Sequence, residues 1–244
     1  MTIEHKVVIV TGSSSGIGRA TALHLSSCGA KLVLAARREK AIADVAAEIE
    51  SAGGEVVYRP TDVTRRDDLT TLVRLACDHF GRLDVLVNNA GIGPLSRFDA
   101  LRVDEWDTMI DINIKGVLYG IAAALPVFGR QGSGHIVNVV STAGLRISPT
   151  MGVYAATKNA VRTITEALRQ EAGPTLRVTE VSPGFVATNF AESNSDEAVK
   201  LSIKKQMDDI AISPEAIARA IAFAIDQPPE VDVGSIVIRP TAQA

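Results

Sequence analysis

The chain has 244 residues, of which 46 % are hydrophobic, and this is enough apolar material for one sizeable core. The formal net charge is −3 and the basic residues are scattered, which argues against a nucleic-acid or anionic-membrane partner. The two cysteines are isolated and the four histidines lack the spacing of metal ligands, so we expect neither a disulfide nor a metal site.

Two apolar stretches bear on localisation. The run at residues 7–10 is too short for a signal peptide. The longest uncharged, mainly apolar stretch, residues 116–129, is short for a membrane span and contains Pro126. The sequence therefore predicts a cytoplasmic protein.

Short β-branched runs alternate with amphipathic helical patterns along the whole chain. Most of the runs are continuously apolar, which is typical of parallel strands that are buried on both faces. The runs are KVVIVTG, KLVLAAR, EVVYRPTDV, LDVLVNNAG, GHIVNVVS, LRVTEVSPG and SIVIRP. This alternation predicts an α/β fold, a Rossmann-type doubly wound seven-stranded parallel sheet with helices on both faces, formed by residues 1–244 as a single domain.

A glycine-rich turn follows the first strand, in the stretch TGSSSGIGRA. Gly12 permits a tight turn, Gly16 lets backbone N–H groups approach a pyrophosphate, and Gly18 lets the next helix pack closely on the strand. The other residues assigned to this nucleotide-binding turn are Ser14, Ser15 and Ile17. No Lys–Ser or Lys–Thr pair follows the last glycine, which argues against a P-loop and phosphoryl transfer.

Three further strands are predicted to end at the same edge of the sheet, where parallel strands form a ligand crevice. The residues assigned to it are Arg37 and Arg38 after the second strand, Asp62 and Val63 at the end of the third, and Asn89, Ala90 and Gly91 after the fourth. The Asp62 carboxylate and the neighbouring N–H group can read an adenine edge. The small residues after the fourth strand let the backbone pass close to a ribose.

Polar residues with a defined spacing follow the fifth strand. Ser141 closes that strand, and Tyr154 and Lys158 stand four residues apart at a predicted helix start, so they share one helix face. Asn113 lies in the preceding helical stretch. Each residue alone is ordinary, but together behind a nucleotide-binding turn they indicate a catalytic group. Residues 186–212 form a long insertion after the sixth strand, where α/β proteins keep substrate lids.

Together these residues resemble the short-chain dehydrogenase/reductase family in its compact single-domain form, over nearly the whole chain. The motifs that carry the resemblance are T-G-x-x-x-G-x-G at 11–18, N-N-A-G at 88–91, Asn113 in DINIKG, Ser141, Tyr154-x-x-x-Lys158 and SPGFVAT at 182–188. The C-terminus, VIRPTAQA, departs from the Gly-Gly pair near which many family members end.

The resemblance implies an NAD(P)-dependent oxidoreductase that interconverts a carbonyl compound and an alcohol by hydride transfer. Tyr154 is the predicted general acid and base, and the Lys158 cation is expected to lower the phenol pKa from its usual value near ~10. Ser141 is predicted to donate a hydrogen bond to the same substrate oxygen. In the family, Lys158 also binds the nicotinamide ribose, and Asn113 holds a water that links Lys158 to solvent. Pro183, Gly184 and Thr188 are assigned to the cofactor site, with Thr188 at the nicotinamide carboxamide.

The end of the second strand predicts NADP(H) rather than NAD(H). NAD-dependent enzymes usually place Asp or Glu there to accept hydrogen bonds from the ribose hydroxyls. This chain has Ala36 instead, followed by Arg37 and Arg38. Their planar guanidinium groups can hold a 2′-phosphate through charge-assisted hydrogen bonds.

The expected partner is a small carbonyl or alcohol compound, with no nucleic acid and no membrane. The predicted pocket wall is apolar and consists of Ile92, Pro94, Leu145, Ile147, Met151, Phe185, Val186 and Phe190. Arg146 could pair with a substrate carboxylate, although we expect it to be a solvated loop residue. A homo-oligomer is predicted by the apolar stretch 116–129 and by the small residues after Tyr154; a tetramer is expected first, and a dimer stays open on the sequence.

Two other functions remain open on the sequence. An epimerase or dehydratase can use the same tyrosine–lysine pair, although such chains are usually longer and carry an added substrate domain. A non-catalytic nucleotide-binding regulator could use the same fold, but it would not need Asn113, Ser141, Tyr154 and Lys158 together.

Overall fold

A computed structural model describes residues 3–243 and contains one seven-stranded parallel sheet in the order β3-β2-β1-β4-β5-β6-β7. The strands are β1 (Val7–Thr11), β2 (Lys31–Ala36), β3 (Val56–Pro60), β4 (Val85–Asn88), β5 (Gly134–Val139), β6 (Leu176–Pro183) and β7 (Ser235–Ile238). The order reverses between β1 and β4, which is the switch point where doubly wound sheets bind ligands. The predicted fold is confirmed.

Eight α-helices connect and cover the strands in the described part of the chain. They are α1 (Gly16–Ser27), α2 (Glu39–Ser51), α3 (Arg66–Phe80), α4 (Val103–Met109), α5 (Gly116–Gln131), α6 (Gly152–Glu171), α7 (Glu197–Ile210) and α8 (Pro214–Ile225). A π-helical turn, Ile110–Lys115, joins α4 to α5 without a break and carries Asn113. Such turns widen the helix locally and are frequent at functional sites.

The core lies in two layers, one on each face of the sheet. Alternate residues of one strand supply both layers, so that Val8 and Val10 pack against α1, α2 and α8. Val7 and Ile9 pack instead against α3, α5 and α6. This two-sided burial explains why the strands are continuously apolar rather than alternating.

The third strand ends earlier than the sequence predicts. It stops at Pro60, so Asp62 and Val63 lie in the following turn rather than in the strand. In the described sheet β3 lies at the edge beside β2, which ends at Ala36, and the Thr61 N–H donates to the Ala36 carbonyl at 3.0 Å. Beyond that bond, no strand within residues 3–243 pairs with residues 62 and 63.

The helical segment Val103–Gln131 is longer than the apolar stretch from which we predicted it. By length and composition it could cross a bilayer, but half of its most apolar window is buried inside the protein. Val117, Ile121 and Ala124 on its inner face belong to the core layer shared with α3. The helix therefore behaves as a core helix, with its opposite face exposed.

One buried histidine makes the stability of the fold sensitive to acid. His135 on β5 is 2 % exposed, its Nε2 lies 2.8 Å from the Thr179 hydroxyl, and its Nδ1 has no partner in the described chain. Burial, and then the nearby Arg177 and Lys6 charges, hold its pKa well below the usual 6.5. The folded protein therefore keeps His135 neutral while the unfolded chain takes up a proton near pH ~6.5.

We therefore expect the free energy of unfolding to fall as pH drops below about 6.5, by up to ~1.4 kcal/mol for each pH unit. Urea unfolding at a series of pH values measures this slope. The variant His135→Gln should flatten it, whereas the matched control His79→Gln, at an exposed position on α3, should not. Equal slopes in the unsubstituted protein and His135→Gln would contradict the assignment.

Candidate active site

A cavity of about 1450 Å³ lies at the carboxyl ends of the strands. It is lined by most of the residues that the sequence assigns to the site: Gly12, Ser14, Ser15, Gly16, Ile17, Arg37, Arg38, Asp62, Val63, Asn89, Ala90, Gly91, Ser141, Tyr154, Lys158, Pro183, Gly184 and Thr188. Gly18 and Asn113 are not part of this lining, and both support it through their contacts.

The glycine-rich turn has the geometry that its residue types require. Gly12 and Gly16 have φ of +66° and +52°, a region that glycine adopts at little cost. A Cβ on Gly18 would collide with the Gly12 carbonyl and the Asn89 side-chain amide, so the third glycine allows close packing of α1. Ser15, at the N-cap of α1, makes no side-chain capping bond, which leaves the first amides of the helix open to an anion.

Two polar residues hold this turn in place: Thr11, which belongs to the motif T-G-x-x-x-G-x-G, and Ser13, which the sequence analysis did not single out. The Ser13 hydroxyl, fully buried, accepts a hydrogen bond from the Ala35 N–H at 3.0 Å and ties the turn to β2. The Thr11 hydroxyl accepts from the Asn89 and Ala90 N–H groups at 3.0 and 3.1 Å and ties it to the end of β4. Both residues lie within or beside the motif TGSSSG, but their partners are far away in the sequence.

Two cations without an ionic partner among residues 3–243 lie at the end of the cavity next to β2. Arg37 and Arg38 are exposed at the end of β2, and neither guanidinium forms an ion pair with any residue between 3 and 243. One Asp62 carboxylate oxygen accepts bonds from the Thr64 N–H and hydroxyl at 3.0 and 2.8 Å. This contact fixes the carboxylate and leaves its other oxygen for a ligand.

The first turns of α6 bring Tyr154 and Lys158 into the opposite end of the cavity. Burial raises the Tyr154 pKa, and a hydrogen bond with Ser141 opposes that rise. Lys158 is also buried, which lowers its pKa to about 8, and its Nζ donates to the Val139 carbonyl at 3.0 Å. We expected Lys158 to lower the Tyr154 pKa, but burial dominates and the net shift is upward.

Asn113 acts on the loop after β4. Its Oδ1 accepts from the Ile92 N–H at 2.9 Å, and its Nδ2 donates to the Ile92 carbonyl at 2.8 Å and to the Thr157 hydroxyl at 3.0 Å. A Cβ on Gly91 would lie 3.3 Å from both Asn113 Oδ1 and Lys158 Nζ. Asn113 therefore stands beside Lys158 and fixes the loop that runs past it.

Most of the predicted apolar wall is present. The cavity lining includes Ile92, Leu145, Met151, Phe185, Val186 and Phe190. The other two assignments are wrong: Ile147 is 72 % exposed and Pro94 is buried, and neither is part of the lining. The Phe190 ring lies 5.4 Å from the Tyr154 ring, centroid to centroid, and Gly93 leaves the space that the Phe190 ring occupies.

The insertion 186–212 folds over this end of the cavity. It contains a 3₁₀ turn, Asn189–Ser193, followed by α7. Its two ends meet, because the Ala187 N–H donates to the Ile212 carbonyl at 2.9 Å. Buried Asn194 fastens it to the body, since its Oδ1 accepts from the Leu95 N–H at 2.7 Å.

A third hydrophobic cluster joins the insertion to Tyr154. Its buried members are Leu95, Met109, Ala143, Tyr154, Ala155, Ala191 and Ile203. Ala191 and Ile203 come from the insertion, and Tyr154 and Ala155 come from α6. The Tyr154 side chain is thus packed directly against the segment that covers the cavity.

Comparison with known proteins agrees with this architecture. The short chain dehydrogenase family matches residues 6–199. An uncharacterized oxidoreductase of Listeria monocytogenes is 46 % identical over 100 % of this chain and 99 % of its own length. An uncharacterized oxidoreductase of Staphylococcus saprophyticus is also 46 % identical, over 99 % of this chain and 98 % of its own.

Solved structures show the same fold with nicotinamide cofactors. An alcohol dehydrogenase from Thermococcus sibiricus complexed with 5-hydroxy-NADP is 31 % identical, covers 99 % of both chains and has a TM-score of 0.88. A short chain dehydrogenase/reductase from Burkholderia phymatum in complex with NAD is 30 % identical over 97 % of this chain and 90 % of that chain, with a TM-score of 0.90. This chain belongs to the short chain dehydrogenase family of oxidoreductases.

Proposed function

We propose that the protein is an NADP-dependent oxidoreductase that interconverts a small carbonyl compound and an alcohol by hydride transfer, with Tyr154 as the general acid and base. The observation that carries the proposal is that Ser141, Tyr154 and Lys158 line the same cavity as the glycine-rich turn. A proton donor, a second hydroxyl and a cation therefore lie in one cavity beside a turn suited to a nucleotide.

The residues present fit a dinucleotide. The positive-φ glycines and the uncapped first turn of α1 provide backbone amides for a pyrophosphate. Arg37 and Arg38 provide charge for a 2′-phosphate, and Thr188 lies against Gly16, where a Cβ would be 3.1 Å from its methyl group. When bound, the nicotinamide ring supplies or accepts the hydride at the carbonyl carbon.

The chain's own residues handle the proton. In reduction, the Tyr154 hydroxyl gives its proton to the carbonyl oxygen, and in oxidation the phenolate takes the alcohol proton. Ser141 donates a hydrogen bond to the same oxygen and holds it in place. Lys158 donates one N–H to the Val139 carbonyl, so two others remain for the cofactor ribose. Asn113 holds the adjoining loop and, in this proposal, a water that returns protons to Lys158.

The proposed substrate is small or medium in size and largely apolar. Support comes from the side chains around Tyr154, among them Ile92, Met151 and Phe190. The similar structures include an alcohol dehydrogenase, a serine dehydrogenase and levodione reductase, which fits a carbonyl or alcohol substrate. Residues 1–244 would act as one domain, with residues 186–212 as its substrate lid.

The test adds one carbonyl probe at a time to the protein with NADPH and measures NADPH oxidation by the fall in its absorbance. The probes are benzaldehyde, cyclohexanone, diacetyl and ethyl acetoacetate. Stoichiometric loss of NADPH with alcohol formation supports the proposal. NADPH binding without turnover of any probe would favour a non-catalytic regulator. Isomerisation or water loss from a sugar nucleotide without net NADPH consumption would favour an epimerase or dehydratase.

We expect a homotetramer in solution, because two apolar surfaces are exposed on different sides of the fold. Leu118 on α5 is 42 % exposed, with Ala122 and Pro126 exposed beside it at helical spacing. Phe223 on α8 and Val237 on the edge strand β7 are 56 % and 46 % exposed. Two different self-complementary patches are what a D₂ tetramer requires.

Light scattering at micromolar concentration measures the mass. Leu118→Glu or Phe223→Glu alone should leave a dimer, and the two together should leave a monomer. A monomer mass for the unsubstituted protein would refute the proposal.

We also expect the lid, residues 186–212, to become ordered when ligands bind. Only four of its 27 residues are buried, Val186, Ala191, Asn194 and Ile203, so few of its side chains hold it closed. Backbone hydrogen exchange across the lid should slow by at least about tenfold when NADPH and a carbonyl probe are added. Equally slow exchange with and without ligands would contradict this.

A further inference from the structure

The C-terminal segment, Arg239–Gln243, forms a wall of the active-site cavity. It follows β7, and Arg239, Ala242 and Gln243 all line the cavity. Pro240 is buried and its carbonyl accepts from the Gln243 N–H at 3.0 Å, so the segment turns back on itself. This turn brings a glutamine side chain to the cavity wall.

Gln243 bridges two loops that come from different strands. Its Oε1 accepts from the Phe185 N–H at 2.9 Å, and its Nε2 donates to the Thr142 hydroxyl at 3.3 Å. Phe185 follows β6, 58 residues earlier in the chain, and Thr142 follows β5, 101 residues earlier. One side chain therefore fixes the distance between the loop after β5 and the loop after β6.

The two residues bonded by Gln243, Phe185 and Thr142, lie next to the lid and next to Ser141. The Phe185 carbonyl accepts from the Ile212 N–H at 3.0 Å, so Phe185 is the point where the two ends of the lid join the body. Thr142 directly follows Ser141 and begins the short 3₁₀ turn Thr142–Gly144. The Gln243 bridge thus connects the lid hinge to the turn that carries the catalytic serine.

The glycine at position 184 leaves room for the Gln243 side chain. Gly184 lies directly before Phe185, and a Cβ there would overlap the Gln243 Oε1 and approach the Arg239 Cβ to 2.7 Å. Gly184 has no positive φ in this structure, so its backbone conformation does not by itself require glycine. Close packing of the C-terminal segment against residue 184 is the structural reason for a glycine there.

We propose that Gln243 is a positioning residue that keeps the lid hinge, Phe185, at a fixed distance from Ser141. It does not touch the reacting atoms. Its loss should let the Phe185 hinge and the Ser141 turn move independently, which weakens capture of the carbonyl substrate more than binding of the adenosine half of the cofactor. Only the kinetic part of its test, the measurement of KM and kcat, rests on the proposed function.

The decisive variant is Gln243→Leu, whose apolar side chain is one heavy atom shorter and makes neither hydrogen bond. Hydrogen exchange at the Phe185, Ala187 and Ile212 amides should become about tenfold faster. KM for the carbonyl probe with the highest kcat/KM should rise about three- to tenfold, while kcat and the NADPH dissociation constant change less than about twofold. Gln243→Glu should behave like the unsubstituted protein, because it can accept from both the Phe185 N–H and the Thr142 hydroxyl.

Two further variants complete the test. Gln227→Leu is the matched control, since within residues 3–243 the Gln227 side chain bonds only the Phe223 carbonyl on α8, and Gln227 lies outside the cavity. Thr142→Val breaks one half of the bridge, so adding Gln243→Leu to it should have a smaller effect than Gln243→Leu alone. Unchanged hydrogen exchange in Gln243→Leu would overturn the inference. If the unsubstituted protein reduces no probe, the proposed function fails and hydrogen exchange alone decides the role of Gln243.

Discussion

Replacing Tyr154 with Phe is expected to lower kcat by at least about 100-fold, the usual scale of acid–base catalysis, with little change in NADPH affinity. The substitution removes only the hydroxyl and keeps the ring that packs against Phe190. Because the ring also belongs to the buried cluster shared with the lid, Phe should preserve the shape of the cavity. Steady-state kinetics with a carbonyl probe and fluorescence titration with NADPH separate the two effects.

The matched control for this variant is Tyr58→Phe. Tyr58 lies on β3, is 40 % exposed and does not line the cavity, so its hydroxyl has no expected role. Turnover close to that of the unsubstituted protein in Tyr154→Phe would remove Tyr154 from the mechanism. A parallel loss of NADPH binding would instead show that Tyr154 supports the cofactor site.

The unsubstituted protein is expected to prefer NADPH over NADH by at least about tenfold in kcat/KM, or about 1.4 kcal/mol. Ala36 leaves no carboxylate at the end of β2, and the Arg37 and Arg38 guanidinium groups have no ionic partner among residues 3–243. A 2′-phosphate would satisfy both charges. The double variant Ala36→Asp with Arg37→Ile should reverse the preference, because Asp accepts from ribose hydroxyls and repels the phosphate.

This comparison must be made at fixed ionic strength, since salt screens contacts between exposed arginines and phosphate. Arg130→Ile, at the exposed end of α5, is a matched control that removes an arginine away from the cavity and should leave the preference unchanged. Equal kcat/KM values for the two cofactors, or a preference for NADH in the unsubstituted protein, would contradict the assignment.

The parts of the site that sequence predicts well are those where residue type dictates local geometry. Gly12 and Gly16 occupy left-handed backbone, and Gly18 sits where any Cβ would collide, so each position selects glycine for a reason that a motif records. Tyr154 and Lys158 share a face because four residues make about one helical turn. The order of apolar runs likewise predicts the parallel sheet.

The residues that sequence reasoning missed act through distant partners. Ser13 bonds Ala35, Asn194 bonds Leu95 across 99 positions and Gln243 bonds Phe185 across 58. Nothing in a local pattern distinguishes such a serine, asparagine or glutamine from a solvated one. The upward shift of the Tyr154 pKa was missed for a related reason, because burial depends on the packed lid and not on the spacing to Lys158.

The cluster that joins Tyr154 to Ala191 and Ile203 couples the size of the cavity to the environment of the Tyr154 phenol. Substitutions in α7 that enlarge the cavity would also loosen the packing around the Tyr154 phenol and admit water to it. The substrate range and the proton affinity of the acid would then change together. Directed evolution for bulkier substrates in this protein should accordingly yield variants whose optimum pH has moved, unless a compensating residue restores the seal around Tyr154.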